Sequence, residues 1–265
     1  MKIAITGASG NLGSELLAKF KSEGLEVSAL SLLKFNPDNI SENEFDVLIH
    51  AGTCYGRNGE KFSDIILANL LIPLKIMELA KPKFFINIDT TLEEKVSNYA
   101  FSKACFNKAC RHLMEQGLDV KIINVKLHNF YGIKPSKSDL IYNLTRQFLQ
   151  NIDSIDLTEG EQKRDFIFIE DVISAIDAMM KNLNLFSEKF NELELGTGES
   201  VSVKDVVLTI KKLTKSKTIP NFGAIPLRKN EPANLCADIK EMEKFNWVAK
   251  TSLEEGINKI IKNIT

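Results

Sequence analysis

The sequence predicts an α/β fold built on a doubly wound parallel sheet, with a smaller C-terminal lobe. Short apolar runs alternate with amphipathic stretches of helical spacing through the first half of the chain. A glycine-rich turn stands between the first apolar run and the first amphipathic stretch. Such alternation is typical of a parallel sheet covered by helices on both faces, and such a turn is typical of the sheet edge that binds ligands.

Each expected element has its own pattern: strands are short apolar runs, and helices carry apolar residues three or four positions apart. In the first half we expect strands at Lys2–Thr6, Glu26–Ser31, Phe45–Ala51, Lys83–Ile88 and Val120–Leu127, and helices at Asn11–Lys21, Phe62–Ala80 and Asn98–Gln116. The second half is less regular. There we expect a strand at Asp165–Ile169 and helices at Asp139–Gln150, Asp171–Leu183 (with Asp171 as the cap), Ser202–Thr214 and Thr251–Asn263.

Composition and charge exclude several classes of protein. Lys and Arg number 34 against 35 Asp and Glu, which leaves a net charge of -1 and argues against a nucleic-acid surface. No segment reaches the ~18 uncharged apolar residues of a membrane span, and the first apolar run is too short for a signal peptide. The cysteine and histidine spacings predict free thiols and no metal site. We therefore expect a cytoplasmic protein with no nucleic-acid or membrane partner.

The turn from Thr6 to Gly13 suits a dinucleotide pyrophosphate. Gly7 permits a tight turn, Gly10 lets the backbone approach the phosphates, and Gly13 allows close packing of helix on strand. The N-terminus of the next helix adds amide donors and a favourable dipole. Because a strand precedes this Gly-x-x-Gly-x-x-Gly spacing and a helix follows it, we interpret it as a cofactor-binding turn rather than a structural one. The same predicted segment includes Ser9, Asn11 and Leu12.

The end of the second predicted strand bears on the choice of cofactor. NAD-specific sites usually carry an acid there to hold the ribose hydroxyls, and residues 29–34 contain none. We predict that NADP(H) is preferred, with Ser31 and Lys34 near the 2′-phosphate, and that NAD(H) is the alternative. That Lys34 is an ordinary exposed lysine is an equally good interpretation.

Tyr99 and Lys103 stand four residues apart at the start of a predicted helix, which places both on one face. An unperturbed tyrosine has a pKa of about 10, and a neighbouring ammonium is expected to lower that pKa toward neutrality. Following a glycine-rich turn, this pair predicts a catalytic acid and its partner. Thr90, at the end of the preceding strand, is our choice for the hydroxyl that hydrogen-bonds a substrate carbonyl. Thr91 is the alternative, and either could instead cap the next turn.

These features together resemble the extended short-chain dehydrogenase/reductase superfamily, in particular the NAD(P)-dependent epimerase/dehydratase family that acts on nucleotide sugars. The resemblance covers nearly the whole chain. It implies a dinucleotide-binding Rossmann domain over residues 1–135, which also includes about 164–183, and a substrate-binding lobe over most of 136–265. It also implies cofactor contacts for His50, Ala51, Gly52 and Asn69, and contacts to the sugar diphosphate for Asn129 and Arg164.

Within that family, Thr53–Asn58 and Leu157–Phe166 look most similar to the CDP-abequose synthase branch. The enzymes of this branch reduce the 4-keto group of a nucleotide-linked 4-keto-6-deoxyhexose with NADPH, for O-antigen sugars. The resemblance therefore implies the same reaction class here. Sugar 4,6-dehydratases carry an Asp-Glu pair after the threonine, whereas Thr91 and Leu92 follow Thr90 in this chain. Elimination of water would lack its proton-transfer groups, which disfavours a dehydratase.

Two other functions stay open: a nucleotide-sugar 4-epimerase that keeps NAD tightly bound, and a non-catalytic dinucleotide-binding sensor. An epimerase would turn over without added cofactor, whereas a reductase consumes it. Sensors commonly lose the tyrosine–lysine pair, which this chain keeps. Members of the superfamily often dimerise through the helices that correspond to those around 62–80 and 98–116, and both carry apolar residues on more than one face. We therefore expect a homodimer.

Overall fold

The computed structural model describes residues 1–32, 36–42, 44–135 and 139–265, which form two compact units. The first unit comprises Met1–Lys126 and Lys181–Leu193, and the second comprises Leu127–Met180 and Glu194–Thr265. The division therefore falls before the expected boundary at 135. Residues 164–180, which we expected in the first domain, lie in the second unit.

The first unit is a parallel sheet with helices packed against it. Its strands are β1 (Lys2–Thr6), β2 (Glu26–Leu30), β3 (Val47–His50), β4 (Phe84–Thr90), β5 (Lys121–Leu127) and β10 (Phe190–Leu195). Its helices are α1 (Asn11–Ser22), α2 (Phe62–Ile66), α3 (Ile72–Ala80) and α4 (Asn98–Glu115), and a π-helical turn at Leu67–Leu71 joins α2 to α3. Within the described residues the sheet has six strands in the order β10-β5-β4-β3-β1-β2, with parallel pairing of β1 to β2 and β3 and of β3 to β4. The predicted doubly wound α/β fold is confirmed.

The strand order reverses between β1 and β3. We therefore expect the ligand-binding edge of the sheet at the carboxyl ends of these two strands. Apolar strand residues such as Ile5, Ile49 and Ile86 are fully buried, because helices cover both faces of the sheet. The register pairs Thr6 with His50, so the loops that leave β1 and β3 start side by side. Ligands of open α/β sheets bind in the crevice at such a point, outside the carboxyl ends of the strands.

The second unit forms a separate core from helices and short strands. Its helices are α5 (Leu140–Leu149), α6 (Ile169–Lys181), α7 (Val203–Thr214), α8 (Lys240–Glu243) and α9 (Leu253–Ile264). Its strands are β6 (Asn129–Tyr131), β7 (Ser154–Asp156), β8 (Lys163–Arg164), β9 (Phe166–Phe168), β11 (Val201–Ser202), β12 (Ile219–Asn221) and β13 (Asn234–Leu235). Phe148, Phe168 and Val206 are among the buried apolar side chains that pack together here.

The capping of α6 differs from our expectation. Because α6 begins at Ile169, Asp171 lies within its first turn and does not cap it. Its carboxylate instead accepts hydrogen bonds from the backbone amides of Lys250 (3.2 Å) and Thr251 (2.9 Å). Asp171 therefore anchors the segment that leads into α9.

Asp139 caps α5 from a buried position. Its Oδ1 accepts a hydrogen bond from the Tyr142 amide at 2.9 Å, and its Oδ2 accepts one from the Gly132 amide at 3.0 Å. Burial raises the pKa of Asp139 from 3.8 to about 6, although these backbone hydrogen bonds act in the opposite direction. Desolvation therefore disfavours the ionised form of this cap at neutral pH.

This raised pKa predicts a pH-dependent component of stability. A carboxyl group whose pKa is higher in the folded state stabilises the protein fully below its unfolded pKa, and this stabilisation is lost as pH rises through the folded pKa. We expect this component to fall by about 2–3 kcal/mol between pH 4 and pH 7. Asp139→Asn keeps a side chain that can cap a helix but does not titrate, so the variant should gain stability relative to wild type as pH rises. Urea unfolding of both proteins across this range is the measurement, and parallel pH profiles would contradict the expectation.

Candidate functional site

The turn between β1 and α1 is held by close backbone contacts. Gly7 has a φ of 71°, and a Cβ at this position would lie 2.5 Å from the backbone of Gly52. A Cβ on Gly13 would collide with the carbonyl oxygen of Gly7, which accepts a hydrogen bond from the Gly10 amide at 2.9 Å. Larger residues at positions 7 and 13 would therefore push this turn away from the loop after β3.

The N-terminus of α1 offers the donors that a pyrophosphate needs. Gly10 is the N-cap residue of α1, so no side chain caps the first amides, and the first turn contains no acidic residue. The first amides of a helix lack partners within it, and the helix dipole favours an anion at this end. Ser9 is exposed and Asn11 is half-buried at this end, whereas the side chain of Leu12 belongs to the core. The turn and the helix terminus thus fit a dinucleotide phosphate.

The predicted 2′-phosphate contacts fall just after β2. Ser31 is exposed directly beyond the last residue of that strand. Lys34 lies outside the described residues. The contacts of Ser31 and Lys34 with a 2′-phosphate therefore stay predictions.

The side chain of His50 lies in the core, and its expected contact with the cofactor stays a prediction. Its side chain is fully buried, with ring centroids of Phe85 and Phe106 each 6.1 Å away. Its Nδ1 hydrogen-bonds the Thr6 hydroxyl oxygen at 2.7 Å, and that oxygen accepts a second hydrogen bond from the Gly52 amide at 3.3 Å. Burial lowers the pKa of His50 well below its usual value, so the ring is neutral. His50 thus fixes the ends of β1 and β3, and Ala51 and Gly52 follow at the edge.

Asn69 braces the site from the π-helical turn. Its oxygen accepts from the Thr53 hydroxyl (3.1 Å) and the Cys54 amide (2.7 Å). Its amide group donates to the Cys54 carbonyl (2.8 Å) and the Ser102 hydroxyl (2.9 Å). Because a side-chain amide has two donors and two acceptor positions, these four hydrogen bonds engage all of them. The predicted cofactor contact of Asn69 stays a prediction. Asn69 joins the loop after β3 to α4, as π-helical turns at functional sites often do.

Tyr99 and Thr90 meet at the carboxyl end of β4. The Ser97 side chain caps α4 by accepting from the Ala100 amide at 3.1 Å, which puts Tyr99 in the first turn of the helix. Thr90, the last residue of β4, is close enough to hydrogen-bond the Tyr99 phenol. Its hydroxyl also accepts from the Leu92 amide at 3.2 Å, so Thr90 stabilises the following turn as well. Because β1, β3 and β4 are parallel, this pair lies at the same sheet edge as the glycine-rich turn.

The pKa of Tyr99 is raised well above its usual value, which is the opposite of our expectation. Desolvation is the largest cause, followed by the charges of Tyr55 and Asp89, whereas Thr90 and Arg57 act in the lowering direction. Lys103 is not among the groups that shift this pKa. Its ammonium donates to the carbonyl of Ile88 at 2.7 Å. The phenol of Tyr99 is therefore protonated at neutral pH.

The side chain of Lys103, on the same helix as Tyr99, is buried, with 1% of its surface exposed. Besides the Ile88 carbonyl, its ammonium contacts Asn87 Oδ1 at 3.4 Å. Burial lowers the pKa of Lys103 to about 8, and the nearby carboxylate of Asp89 opposes that lowering. At neutral pH Lys103 is mostly an ammonium, and it loses this charge over the mildly alkaline range.

Next to Lys103 lies a group of polar residues that our sequence reasoning missed. We call Asn87, Asp89, Asn107 and Asn124 the polar cluster; Asn107 is half-buried and the other three are buried. The Asn87 amide donates to Asn124 Oδ1 at 2.7 Å, and the amides of Asn107 and Asn124 donate to Asp89 Oδ2 at 2.7 and 2.8 Å. The pattern that predicts this cluster is in the sequence. Asn87 and Asp89 are two apart on one strand, and Lys103 and Asn107 are four apart on one helix, so each pair shares a face.

A second missed feature is an aromatic contact on Tyr99. The ring of Tyr55 lies 4.9 Å from the ring of Tyr99, and the guanidinium of Arg57 lies 5.1 Å from the Tyr55 ring. Both residues belong to Thr53–Asn58, which we used only as a mark of resemblance. The contact orders the Tyr99 ring and brings a positive charge near it.

The predicted diphosphate ligands lie in the second unit. Arg164 is buried, donates to the Lys163 carbonyl at 2.6 Å and forms an ion pair with Glu231. Asn129 is exposed at the start of β6. Their contacts to a substrate stay predictions.

Other chemistry is limited among the residues that the structure describes. No three His, Cys, Asp or Glu side chains are placed to hold a metal ion there. None of the helices in the described ranges is both long and apolar enough to cross a membrane. Cys54, Cys105, Cys110 and Cys236 are free thiols.

Comparison with known proteins supports the interpretation of these motifs. A model of the NAD dependent epimerase/dehydratase family matches residues 3–191. The CDP-abequose synthase of Salmonella muenchen is 30% identical over 98% of this chain and 97% of its own length. The dTDP-4-dehydro-6-deoxyglucose reductase of Escherichia coli is 26% identical over 85% of this chain and 64% of its own length. The predicted resemblance to the family and to CDP-abequose synthases is confirmed.

Solved structures with low sequence identity share the fold. MoeE5 in complex with UDP-glucose and NAD superposes with a TM-score of 0.85 at 20% identity, covering 100% of this chain and 98% of that one. The UDP-glucose 4-epimerase of Thermus thermophilus, in complex with NAD, gives a TM-score of 0.80 at 19% identity and covers 99% and 98%.

Proposed function

Because the chain belongs to the NAD dependent epimerase/dehydratase family, we propose that it reduces a keto group of a nucleotide-linked sugar with NADPH. The substrate is a 4-keto-6-deoxyhexose reduced at C4, for a surface polysaccharide. The observation that carries the proposal is the protonated phenol of Tyr99 beside the Thr90 hydroxyl, at the sheet edge that holds the glycine-rich turn. The relatives named CDP-abequose synthase and dTDP-4-dehydro-6-deoxyglucose reductase support it.

The residues of the first unit have distinct roles in this reaction. The turn at Gly7, Gly10 and Gly13 and the N-terminus of α1 hold the pyrophosphate of NADPH, which supplies the hydride when bound. Tyr99 donates its phenolic proton to the keto oxygen as negative charge builds there. Thr90 donates a hydrogen bond to the same oxygen. Lys103 holds the nicotinamide ribose as an ammonium.

The raised pKa of Tyr99 suits a proton donor in reduction. A phenol that stays protonated at neutral pH is in the correct form when the reaction starts. The alkoxide that forms from a ketone is a much stronger base than a phenolate, so the proton transfer is still favourable. In the reverse direction the same raised pKa would hinder Tyr99 as a base.

In the second unit, we assign the nucleotide diphosphate to Arg164 and Asn129. The guanidinium of Arg164 offers several donors in a fixed fork, of which Glu231 and the Lys163 carbonyl engage a part. Binding energy from this part of the substrate can position the distant sugar. The free thiols favour a reducing compartment, so we place the reaction in the cytoplasm.

The test is turnover of nucleotide-linked 4-keto-6-deoxyhexoses by purified protein, followed by loss of NADPH absorbance. We expect one NADPH consumed per sugar reduced, and slower turnover with NADH at the same concentration. Conversion of a nucleotide sugar without added cofactor would favour a 4-epimerase with bound NAD. Tight NADPH binding without any nucleotide-sugar binding would favour a sensor. Equal or faster turnover with NADH would remove the NADP preference.

We also propose a homodimer that forms through α2, α3 and α4. Leu67, Leu71, Phe62 and Phe101 expose between 41% and 52% of their surfaces, and the rings of Phe62 and Phe101 lie 6.1 Å apart. We expect Leu71→Asp to convert the dimer to a monomer in light scattering at micromolar concentration, because a charge would be buried in an apolar interface. Leu208→Asp, at a site on α7 that is 45% exposed, should stay dimeric. A monomeric wild-type protein would contradict the proposal.

A further inference from the structure

Asp89 is an acid in the interior of the sheet. It lies on β4 between Ile88, whose carbonyl accepts from Lys103, and Thr90, and 5% of its surface is exposed. Its Oδ2 accepts hydrogen bonds from the amides of Asn107 and Asn124. Its Oδ1 is buried and accepts no hydrogen bond from the described residues. The proposed reaction gives no role to this side chain.

The surroundings of Asp89 contain one buried cation. The charge of Asp89 acts on Lys103, Tyr99 and Cys110, all carried by α4. Farther out, Asn124 donates to Glu192 of β10 at 3.2 Å, and Glu192 is paired with Lys126 of β5 at 2.7 Å and with Arg111 of α4 at 3.9 Å. Because Glu192 already has partners, Asp89 is the carboxylate left to balance Lys103.

The positions of these residues follow from two periodicities. Asn87 and Asp89 point to the same face of β4, and Lys103 and Asn107 point to the same face of α4. Asn87 therefore meets Lys103 at 3.4 Å, and Asp89 meets Asn107 at 2.7 Å, one step farther along both elements. The two neutral amides hold the carboxylate in place.

Burial acts strongly against a charged lysine. A fully buried ammonium without a counter-charge can lose its proton near neutral pH, because water no longer solvates it. Lys103 has only a carbonyl and an amide oxygen as direct acceptors, and neither carries a net charge. A negative charge close by is therefore needed to keep it an ammonium in the range where the enzyme works.

We infer that Asp89 is a positioning residue of this active site, whose buried carboxylate is the counter-charge that keeps Lys103 an ammonium. Asn107 and Asn124 hold that carboxylate in place. The inference rests on the proposed function, since it assigns Lys103 a role as a charged group. It explains why an acid lies on the buried face of β4 immediately before Thr90.

Asp89→Asn tests this inference with little change in shape. The oxygen of the new amide can still accept from Asn107 and Asn124, so the charge is what is removed. In wild type we expect kcat/KM to fall above about pH 8, where Lys103 loses its proton. In the variant this fall should begin about one pH unit lower or more. The affinity for NADPH, measured by fluorescence without sugar substrate, should weaken over the same shifted range.

Two variants separate charge from structure. Glu192→Gln removes a carboxylate that also accepts from the Asn124 amide but is paired with Lys126. The pH above which kcat/KM falls, here called the upper limit, should therefore be the same in this variant as in wild type. Asn107→Leu removes one hydrogen bond to Asp89 and keeps the charge, so it should lower thermal stability and leave the upper limit in place. An upper limit in Asp89→Asn that equals that of wild type would overturn the inference.

A stability cycle gives the answer even if Asp89→Asn loses activity for other reasons. Lys103→Met leaves the Asp89 carboxylate without its cation, so this variant should unfold at a lower temperature than wild type. Asp89→Asn in the Lys103→Met background should recover part of that loss, because the unbalanced charge disappears. Additive losses would overturn the inference. The result is independent of the proposed function, which fails separately if Tyr99→Phe is active.

Discussion

Tyr99→Phe should lower kcat by about 10³-fold or more and leave the affinity for NADPH nearly unchanged. The substitution removes only the hydroxyl that donates the proton in the proposed reaction. The Phe ring keeps the contact with Tyr55 at 4.9 Å, so the start of α4 should stay ordered. Turnover is measured by NADPH oxidation with the nucleotide-linked keto sugar, and cofactor binding by the shift in melting temperature that NADPH produces.

Tyr55→Phe is the matched control, because it removes the other phenol of the same aromatic pair. Tyr55 transfers no proton in the proposed reaction, so we expect removal of its hydroxyl to lower kcat less than about tenfold. The two variants together distinguish loss of the acid from a general disturbance of the aromatic contact. Near-normal kcat in Tyr99→Phe would refute the assignment of Tyr99. Equal losses in both variants would mean that the contact, not the proton, is what matters.

The fold of the first unit was predictable because local patterns agree with the final packing. The apolar run that became β1, the glycines after it and the helical spacing from Asn11 onward all favour the same turn. The second unit was harder. Asp165–Ile169 followed by a helical stretch has the pattern of one more unit of the large sheet, but β9 pairs with β6 and β8 pairs with β11 and β13. Strand partners at long sequence separation leave no local pattern.

For the candidate site, the spacing predicted a shared helix face correctly, but the predicted direction of the Tyr99 pKa was wrong. Helical spacing placed Tyr99 and Lys103 on one face, as the structure has them. The direction of the pKa of Tyr99 depends on desolvation and on Asp89, and neither can be derived from a four-residue spacing. The aromatic partners of His50, Phe85 and Phe106, come from distant segments, so a local pattern could not name them.

The polar cluster is different, because its pattern was visible and was not interpreted. Asn87 and Asp89 interrupt an apolar strand on one face, and a buried polar side chain must find partners or lose stability. Asn107 lies four positions after Lys103 and is therefore a second polar residue on the helix face that packs on the sheet. A polar residue on the buried face of a strand therefore predicts a partner on the helix that covers it.

Asp165 holds together three segments of the second unit, and its loss should destabilise that unit strongly. The side chain is fully buried. Its carboxylate accepts hydrogen bonds from the Thr197 amide (2.8 and 3.0 Å) and hydroxyl (2.7 Å), the Gly198 amide (2.9 Å) and the Ala237 amide (3.2 Å). Gly196 leaves the room for it, since a Cβ there would lie 2.5 Å from Asp165 Oδ2.

Asp165→Ala should lower the free energy of unfolding by about 4 kcal/mol or more, because several buried donors lose their acceptor at once. Asp165→Asn keeps the shape and one acceptor oxygen, so its loss should be smaller. The exposed Asp153 is the matched control, and Asp153→Ala should change stability by less than about 0.5 kcal/mol. Urea unfolding gives the size of each effect, and hydrogen exchange of the Thr197 and Gly198 amides localises it. If Asp165→Ala were as stable as Asp153→Ala, with unchanged exchange at those amides, this carboxylate would not be what joins the three segments.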